Sequence, residues 1–599
     1  MQANNISGEV IYYAFLSGVM KVRKQKNILN KMNVFPIADG DTGSNLISTM
    51  NTIIEETKVQ SSVKATINSM ADAALVGARG NSGIIFAQFI NGINEEIKDT
   101  EVMTISTFAE TLKKAVPYAY NAIVNPVEGT MITVIREWVE AVYRLKDVTR
   151  NFEEIIIRTL VDAKKSLANT PNLLEILKKS SVVDSGASGF VTFLEGVVEF
   201  LKDKNIIRLH ESRDQIVAGL EIEVEEEIYN ITEDITFRYC TEALISNENL
   251  NSDEIKNAVK HLGDSLIVAG NSRKLRIHIH TNKPDELFYV LRGKGKIVQQ
   301  KVDDMKKQYE VVHNRLNKTA ILTDSIADLP EQLIEKYQIN VIPLNLIIEG
   351  SPYLDKLTIK PDKFYSIIDS LKEYPTSSQP TVKSVENIFS FLTSHYESII
   401  TIIVSKEMSG TFGTVQKAAE KFIKEGKKIT VINSKLNSGA EGLLVLEAAK
   451  QLEAGKNHEE VVEIIENKIK KTKIYVSVNT FKYMVKGGRV SPMKGFIGKI
   501  LNMKPIISID DNGTGIAFGK TFSAKANTKK IQEIVKAANK ENKVLAYSIV
   551  HANALEKAKE LSLKLTDDLG QAPEYVTEIS PIVGLNAGIG SIAVSFISS

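Results

Sequence analysis

The chain has 599 residues, of which 43% are hydrophobic and 25% charged, and its 74 basic residues nearly balance 73 acidic ones. A formal net charge of +1 excludes the strongly basic composition typical of nucleic-acid-binding proteins, so we expect no nucleic-acid partner. The N-terminus lacks the order of a signal peptide, and no apolar run reaches the ~18 residues of a membrane span. The single cysteine, Cys240, cannot form an internal disulfide. We therefore expect a cytoplasmic, multidomain protein without an integral membrane segment.

Residues 1–204 carry apolar side chains at helical spacing, for example at 62–78, 84–97 and 131–145. Short loops containing glycine and proline separate these segments, and no strand pattern of comparable strength intervenes. The pattern predicts an all-α domain.

Residues 205–318 change to the alternation of half-buried strands and predict a small α+β domain. The order from residue 236 onward is βαββαβ, which favours a split-βαβ or ferredoxin-like fold. The predicted strands are 221–228, 236–245, 264–269, 275–281 and 296–302, and the predicted helices are 253–262 and 284–292.

Residues 319–599 alternate short runs rich in β-branched residues with amphipathic helices. This alternation predicts an α/β domain with a largely parallel sheet.

The loop NVFPIADGDTGSNL, at 33–46, places Asp39 and Asp41 on either side of a glycine just before a helical run. Two carboxylates in a tight loop suit Mg²⁺, which binds one or two carboxylates together with phosphate oxygens. An EF-hand calcium loop beginning at Asp39 would need glycine at Ser44 and glutamate at Met50, so this kind of site is excluded. The alternative is an aspartate-glycine turn that caps a helix.

Two further glycine-rich loops, at 77–83 and 183–189, favour ligand binding, because helix N-termini attract phosphate. The segment GTGIAFGKT, at 513–521, has the wrong glycine spacing for a Walker loop. We expect a hairpin there, around Asp511, Asn512 and Gly513.

Together with PVEGTMITV at 126–134, these loops resemble the DhaL-type nucleotide domain of dihydroxyacetone kinases and of the kinase subunit of bacterial fatty-acid kinase. The resemblance covers about residues 1–200 and implies a helical barrel that binds ATP with Mg²⁺. Ala38 stands where this motif usually has proline. By this resemblance, Asp39 and Asp41 are catalytic metal ligands with Asn33 near a third ligand position, and the nucleotide is bound by Thr42, Gly43, Ser44, Asn45, Gly80, Asn81, Ser82, Gly83, Thr130, Met131 and Asp184.

His278 and His280 lie two positions apart on a predicted strand, so both imidazoles point to one face, and Cys240 lies on another strand. One thiolate and two imidazoles suit Zn²⁺ with a fourth position open, although the spacing matches no standard zinc module. The alternative is that Cys240 is a small buried apolar residue. The segment resembles the central domain of the fatty-acid kinase subunit. That resemblance implies that the three residues act in metal binding or in catalysis, and that the domain forms a homodimer.

Hydroxyl-rich loops at 323–330, 375–381 and 408–414 lie where α/β sheets bind ligands, and the segment 485–491 adds Arg489. One arginine with several hydroxyls suits a carboxylate. The alternative for each loop is a turn or a helix cap, and we expect the acidic and hydroxyl groups of 323–330 to cap the next helix.

The motifs TDSIADLP, SQP, SGT and KGGR, in this order, resemble the DegV family of fatty-acid-binding proteins across 319–599. Ser377 and Asn586 stand where that family has threonine and histidine, and Ile589 replaces a proline. An amide donates a hydrogen bond but carries no charge. The resemblance implies a fatty-acid ligand near Ser377, Ser378, Ser409, Gly410, Thr411, Arg489 and Asn586.

The combination predicts a fatty-acid kinase that transfers the γ-phosphoryl group of ATP to a fatty-acid carboxylate, with transient membrane contact for lipid exchange. Asn586 keeps open a lipid carrier or sensor with a regulatory nucleotide domain. A kinase for a small hydroxyl compound such as dihydroxyacetone is the other alternative, although nothing here resembles the separate substrate domain of those enzymes.

Overall fold

The structure is a computed structural model that describes residues 5–35, 40–149, 151–203, 209, 235–488 and 504–599. The chain divides into two compact units, Met1–Val312 and His313–Ser599. The predicted strand at 221–228, Asp39 and Arg489 lie outside the described residues. Among the described helices, none combines the length and the apolar character that crossing a membrane requires.

A ring of helices forms most of the first unit and confirms the predicted all-α segment. Helix α1 packs against α10, and the ring continues through α8, α7, α6, α5 and α4 back to α1. A short antiparallel pair, β1 (Asn5–Ser7) with β2 (Val102–Thr104), was not predicted. The helices are α1 (Gly8–Lys24), α2 (Lys26–Lys31), α3 (Thr42–Glu56), α4 (Val63–Gly77), α5 (Gly80–Glu96), α6 (Ile105–Ala122), α7 (Met131–Leu145), α8 (Phe152–Leu173), α9 (Glu175–Ser180) and α10 (Ser185–Asp203).

Helix α7 shows why these segments are helical. Its buried residues Met131, Ile135, Trp138 and Val142 recur every three or four positions, so one face of the helix enters the core. The indole of Trp138 donates a 3.1 Å hydrogen bond to the hydroxyl of Thr159, which satisfies its buried N–H.

An antiparallel sheet follows the ring within the same unit and confirms the predicted βαββαβ order. The first strand, β3, lies between β5 and β6, and β4 lies beyond β5. Ile267 and Ala269 of β4 belong to the hydrophobic core of the helical ring. The elements are β3 (Tyr239–Ser246), α11 (Ser252–Val259), β4 (Gly263–Gly270), β5 (Lys274–Thr281), α12 (Pro284–Arg292), β6 (Lys296–Asp304) and α13 (Met305–His313).

The second unit begins with a parallel sheet of order β13-β12-β7-β8 and an antiparallel sheet of order β10-β9-β11. The central strand β12 is buried along its whole length, as expected for a parallel sheet covered on both faces. The elements are β7 (Thr319–Asp324), α14 (Glu331–Lys336), β8 (Asn340–Ile342), β9 (Asn345–Ile348), β10 (Ser351–Leu354), α15 (Pro361–Ile367), β11 (Thr376–Ser378), α16 (Val382–His395), β12 (Ser398–Ile403), α17 (Thr411–Lys424), β13 (Lys428–Asn433), α18 (Ser438–Glu453) and α19 (His458–Ile469).

The rest of this unit forms a six-stranded sheet of order β16-β15-β14-β19-β17-β18. Among the described strands of this sheet, only β17 and β18 pair in parallel, so the expectation of a largely parallel sheet was wrong for this half. Strand direction depends on the connection, and a short turn with Gly513 at φ +93° forces β15 and β16 into the predicted hairpin. The elements are β14 (Thr472–Ser477), α20 (Lys482–Lys486), β15 (Lys504–Ile509), β16 (Gly515–Thr521), α21 (Ala524–Glu541), β17 (Val544–His551), α22 (Leu555–Leu569), β18 (Tyr575–Glu578), α23 (Pro581–Ala587) and β19 (Ile592–Ser598).

Candidate functional site

The glycine-rich loops of the first unit meet at the N-termini of three helices. Gly80, at φ +57°, lies so close to Asn45 that a Cβ there would collide with the Asn45 amide. A Cβ on Gly186 would lie 2.6 Å from the hydroxyl of Ser82 and 3.4 Å from Cε of Met131. These close approaches bring together the starts of α3, α5 and α10, which is the arrangement that suits a polyphosphate.

In the aspartate loop, Asp41 lies directly before α3. Thr42 and Gly43 are buried in the first turn of that helix, and Asn33 is buried on the other side of the loop. A Cβ on Gly43 would collide with the backbone of Lys26, so this position requires glycine.

Ser44 contacts a residue that the sequence analysis missed. The backbone N–H of Ser44 donates to Oδ1 of Asn30 at 3.1 Å, and Nδ2 of Asn30 donates to the Ser44 hydroxyl at 3.0 Å. The buried Asn30 therefore holds the start of α3 against α2. No motif marks Asn30, and only its place in the helical run before the loop could have indicated it.

Around the second glycine loop, a Cβ on Gly83 would collide with the hydroxyl of Thr49. Asn81 has a buried amide oxygen with no hydrogen-bond partner among the described residues. A buried acceptor of this kind costs free energy unless a donor reaches it, which is consistent with a ligand at this loop.

Two predicted nucleoside contacts have structural roles. Asp184 accepts a 2.7 Å hydrogen bond from the N–H of Ala187 in the first turn of α10, and burial raises the pKa of Asp184 to about 6. Thr130 precedes α7 and donates to the carbonyl of Val127 at 2.9 Å. Both residues shape the ends of helices at the meeting point of the loops.

The cluster of Cys240, His278 and His280 lies on one face of the antiparallel sheet. Cys240 pairs with His280 across β3 and β5, and one ligand atom from each of the three residues lies within 4.8 Å of the others. Both histidines are buried. The three side chains therefore lie close together on this sheet.

Two carboxylates lie beside the imidazoles. Nδ1 of His278 is 3.6 Å from Oε1 of Glu242, and Nδ1 of His280 is 3.5 Å from Oδ1 of Asp264. Nε2 of His278 is buried with no partner among the described residues. Histidines that bind metals usually direct their other ring nitrogen to a carboxylate, so this donor set fits Zn²⁺ or a similar cation.

Charges surround the cluster. Burial, with the charges of Asp303 and Glu242, raises the pKa of the Cys240 thiol well above its usual value. Burial also lowers the pKa of His280, although the contact with Asp264 opposes this shift. The charge of Asp41 acts on both Cys240 and His280, so the cluster lies near the aspartate loop.

Glu242 is the most connected residue of this face, and the sequence analysis missed it. Its side chain is 1% exposed, and it lies 2.6 Å from the guanidinium of the equally buried Arg276. Burial opposes its ionisation, but His278, Lys301 and Arg79 outweigh burial and lower the pKa of Glu242 to about 2. Glu242 is therefore a fixed, buried negative charge.

The second unit contains a cavity of about 770 Å³. Its walls are largely apolar, with Ile474 and Val476 from β14, Val478 directly after that strand, and Ile507 and Ile509 from β15. This volume is within the range of small-molecule sites, and the apolar walls suit an aliphatic chain.

Polar groups gather in the same cavity and include every predicted ligand contact that the structure describes. The hydroxyls of Ser409 and Thr411 lie 2.8 Å apart at the start of α17. Gly488, directly before Arg489, also lines the cavity. The predicted residues on its wall are Ser377, Ser378, Ser409, Gly410, Thr411 and Asn586, and Gln379 and Lys406 are polar lining residues that the sequence analysis missed.

Asn586 donates through Nδ2 to the carbonyl of Ile582 at 3.2 Å, while its Oδ1 is buried with no partner among the described residues. Asn586 lies on the cavity wall. The amide oxygen is an acceptor, however, and does not attract a carboxylate.

The loop at 323–330 differs from the expectation that it caps the next helix. Asp324 accepts from the N–H groups of Ile326 and Val404, and the N-cap of α14 is Pro330, which makes no side-chain cap. Asp328 accepts from Lys356 instead. These buried acids therefore connect neighbouring loops and do not cap α14.

Three family models match the chain in succession. Residues 36–199 match the DAK2 domain, and residues 236–312 match the FakA-like middle domain of fatty acid kinase. Residues 318–599 match a family described as uncharacterised proteins of the DegV family.

An uncharacterised protein of Staphylococcus saprophyticus is 32% identical over 320 residues, which cover 52% of this chain and 57% of that protein. The chain thus spans little more than half the length of this curated relative. The structure of DegV, a fatty-acid-binding protein from Bacillus subtilis, is 25% identical over 48% of this chain and 100% of that one, with a TM-score of 0.44. A fatty-acid-binding DegV-family protein from Thermus thermophilus is 23% identical over 47% of this chain and 99% of that one, with a TM-score of 0.44.

Proposed function

Because this chain joins a DAK2 domain, a FakA-like middle domain and a DegV-family domain, we propose that it is a fatty-acid kinase. It transfers the γ-phosphoryl group of ATP to a fatty-acid carboxylate and forms an acyl phosphate. The observation that carries the proposal is the cavity of the second unit, which combines apolar walls with a set of hydroxyls. The meeting glycine loops of the first unit support the nucleotide part.

The chemistry requires no general base. A carboxylic acid with a pKa of ~4–5 is ionised at neutral pH, so its oxygen is already a nucleophile. This oxygen forms a bond to the γ-phosphorus while the bond from that phosphorus to the β–γ bridging oxygen breaks, and ADP leaves. Charge is conserved, and no proton has to move.

In the first unit, Asp41, together with Asp39 and Asn33, would hold Mg²⁺. The ion supplies charge neutralisation between the anionic carboxylate and the triphosphate. Helix α3 begins directly after Asp41, and helix N-termini favour phosphate. Asn81 offers its buried amide oxygen to a donor of the nucleotide.

In the second unit, the hydroxyls of Ser377, Ser409 and Thr411 would donate to the fatty-acid carboxylate, and the lining residue Lys406 adds a positive charge. The sequence adds Arg489 to this set. The apolar walls of β14 and β15 would exclude water from the acyl chain. Removal of this apolar surface from water is the main source of the free energy of lipid binding.

Cys240, His278 and His280 would hold a zinc ion, which fixes the conformation of this sheet face. Glu242 and Asp264 orient the two imidazoles. Homodimer formation through the middle domain, transient membrane contact during lipid exchange and a cytoplasmic location remain parts of the proposal.

A lipid carrier with a regulatory nucleotide domain is the second candidate. The observation that favours it is the amide oxygen of Asn586, which lines the cavity as an acceptor. A carrier needs only to retain the lipid, whereas a kinase has to present its carboxylate for reaction.

The test combines the purified chain with Mg-ATP, a long-chain fatty acid and hydroxylamine, which traps acyl phosphate as a hydroxamate. We expect product from the native chain and from Asp99→Ala, an exposed control between α5 and β2 of the same unit. Asp41→Ala should abolish product and leave lipid binding intact. Bound lipid without trapped product in the native chain would favour the carrier.

A further inference from the structure

The carboxylate of Glu242 touches two parts of the first unit that are far apart in sequence. Its Oε1 accepts a 2.8 Å hydrogen bond from the N–H of Gly80 and lies 3.6 Å from Nδ1 of His278. Its Oε2 lies 2.6 Å from Arg276 and 3.3 Å from Arg79. One side chain thus links the histidine strand to the glycine loop before α5.

The contact with Gly80 closes the end of a helix. Arg79 is the N-cap of α5 and provides no side-chain cap, so the N–H of Gly80 finds its acceptor in Glu242 from another segment. A carboxylate at a helix N-terminus is favoured by the unpaired N–H groups and by the helix dipole. Glu242 therefore holds the N-terminus of α5 in place.

The loop that contains Arg79 and Gly80 contacts α3, the helix that follows the aspartate loop. Gly80 packs directly on the amide of Asn45, and the N–H of Arg79 donates to the hydroxyl of Thr49 at 3.0 Å. Asn45 and Thr49 both belong to α3, the helix that Asp41 precedes. A shift of Glu242 would therefore displace the contacts of this loop with Asn45 and Thr49 in the first half of α3.

The buried ion pair of Glu242 and Arg276 is not needed if this face of the sheet serves only for packing. Apolar side chains of similar size would fill the same space at equal or lower free energy. Glu242 and Arg276 are each 1% exposed, and the carboxylate has a neighbour in the histidine cluster as well as in the loop. The negative charge of Glu242 therefore lies where it contacts both the histidine cluster and the glycine loop before α5.

We propose that Glu242 is a positioning residue that couples the Cys240, His278 and His280 cluster to the nucleotide loop. A cation held by the three side chains fixes the imidazole of His278, this ring fixes Glu242, and Glu242 fixes the N–H of Gly80. Cation binding therefore strengthens nucleotide binding, and nucleotide binding strengthens cation retention by the same factor. This inference rests on the proposed function, because it requires nucleotide binding at the loop.

The experiment measures the affinity of the full chain for a non-hydrolysable Mg-ATP analogue by calorimetry, once loaded with zinc and once stripped by a chelator. We expect at least about a fivefold weaker affinity in the stripped chain, the lower limit of ordinary coupling. Hydrogen exchange in peptides covering 79–83 should slow when zinc is added, which gives a readout that does not depend on activity.

The decisive variant is the double substitution Glu242→Leu with Arg276→Met, which removes both charges of the buried pair together, so that neither is left facing an unpaired partner. It should bind the analogue equally well with and without zinc. Glu242→Asp keeps a charge opposite Arg276 but has a shorter reach, and it should also lower the affinity ratio. The matched control is Arg238→Met with Asp304→Asn, an ion pair of 2.8 Å on the same sheet, which should keep the native ratio.

Analogue binding that does not respond to zinc in the native chain would overturn the inference and leave the proposed function standing. A native ratio in the Glu242→Leu, Arg276→Met variant would also overturn it, as would failure of the native chain to retain zinc. Failure of the native chain to bind the analogue at all would overturn the proposed function itself.

Discussion

The hydroxyl of Ser438, on the wall of the cavity, donates a 2.6 Å hydrogen bond to Oδ2 of Asp328. Oδ1 of Asp328 accepts from the ammonium of Lys356 and from the backbone N–H of Ser580, both at 2.8 Å. One fully buried carboxylate thus ties the start of α18 to two other loops beside the cavity.

Asp328→Asn should destabilise the chain, because it leaves Lys356 without its buried partner. The expected loss is about 3–5 kcal/mol, as for other broken buried pairs. The measurement is the free energy of unfolding in urea. Glu397→Gln, which breaks an exposed pair with Lys318, is the control and should leave the free energy of unfolding nearly unchanged. Equal losses in the two variants would contradict this account of Asp328.

Two buried acids should lower the free energy of unfolding as the pH rises from about 4 to about 7. Burial raises the pKa of Asp324 to about 6 and that of Asp355 to about 7. The folded chain therefore keeps protons that the unfolded chain releases above about pH 4, and protonation favours folding. Asp355→Asn should reduce the difference in unfolding free energy between about pH 5 and about pH 8. An unchanged difference would contradict the assignment.

A large side chain on the cavity wall should displace the acyl chain. Val476→Trp fills part of the apolar space, so the lipid retained during purification should become shorter or disappear. Mass spectrometry of the extracted lipid measures this change. Val485→Trp, at an exposed position, is the control and should leave the lipid profile unchanged. Loss of lipid in the control alone would place the ligand elsewhere.

A negative charge at Asn586 should weaken fatty-acid binding. Asn586→Asp places a second carboxylate in the cavity, and like charges a few ångström apart repel by several kcal/mol when partly buried. We expect the dissociation constant to rise at least about tenfold, as measured with a fluorescent fatty acid. Asn512→Asp, an exposed position in the hairpin turn, should have no effect. Unchanged affinity in Asn586→Asp would remove Asn586 from the head-group site.

Local sequence patterns were sufficient for the helices of the first unit, the βαββαβ order and the hairpin at Gly513. The loops that meet at Gly80 and Gly186 could also be predicted, because glycine and small polar residues accumulate there. Glu242 could not, because a polar residue in an alternating strand usually marks a solvent-exposed face. Its burial depends on the helical ring that covers the sheet, and this contact joins residues 162 positions apart.

The direction of strands in the six-stranded sheet was missed for a related reason. Periodicity indicates that β14 and β19 are buried strands, but their antiparallel pairing is a property of the chain path between them. Asn30 was missed because its partner, Ser44, lies across a loop. In each case the deciding contact is distant in sequence.

The central claim is that the γ-phosphoryl group reaches a fatty-acid carboxylate. The most direct measurement is a single turnover of γ-labelled ATP on the purified chain loaded with a long-chain fatty acid. Our account predicts that the label moves to an extractable acyl phosphate in equal amount to the ADP formed. Release of the label only as inorganic phosphate, or unreacted ATP beside fully bound lipid, would contradict it.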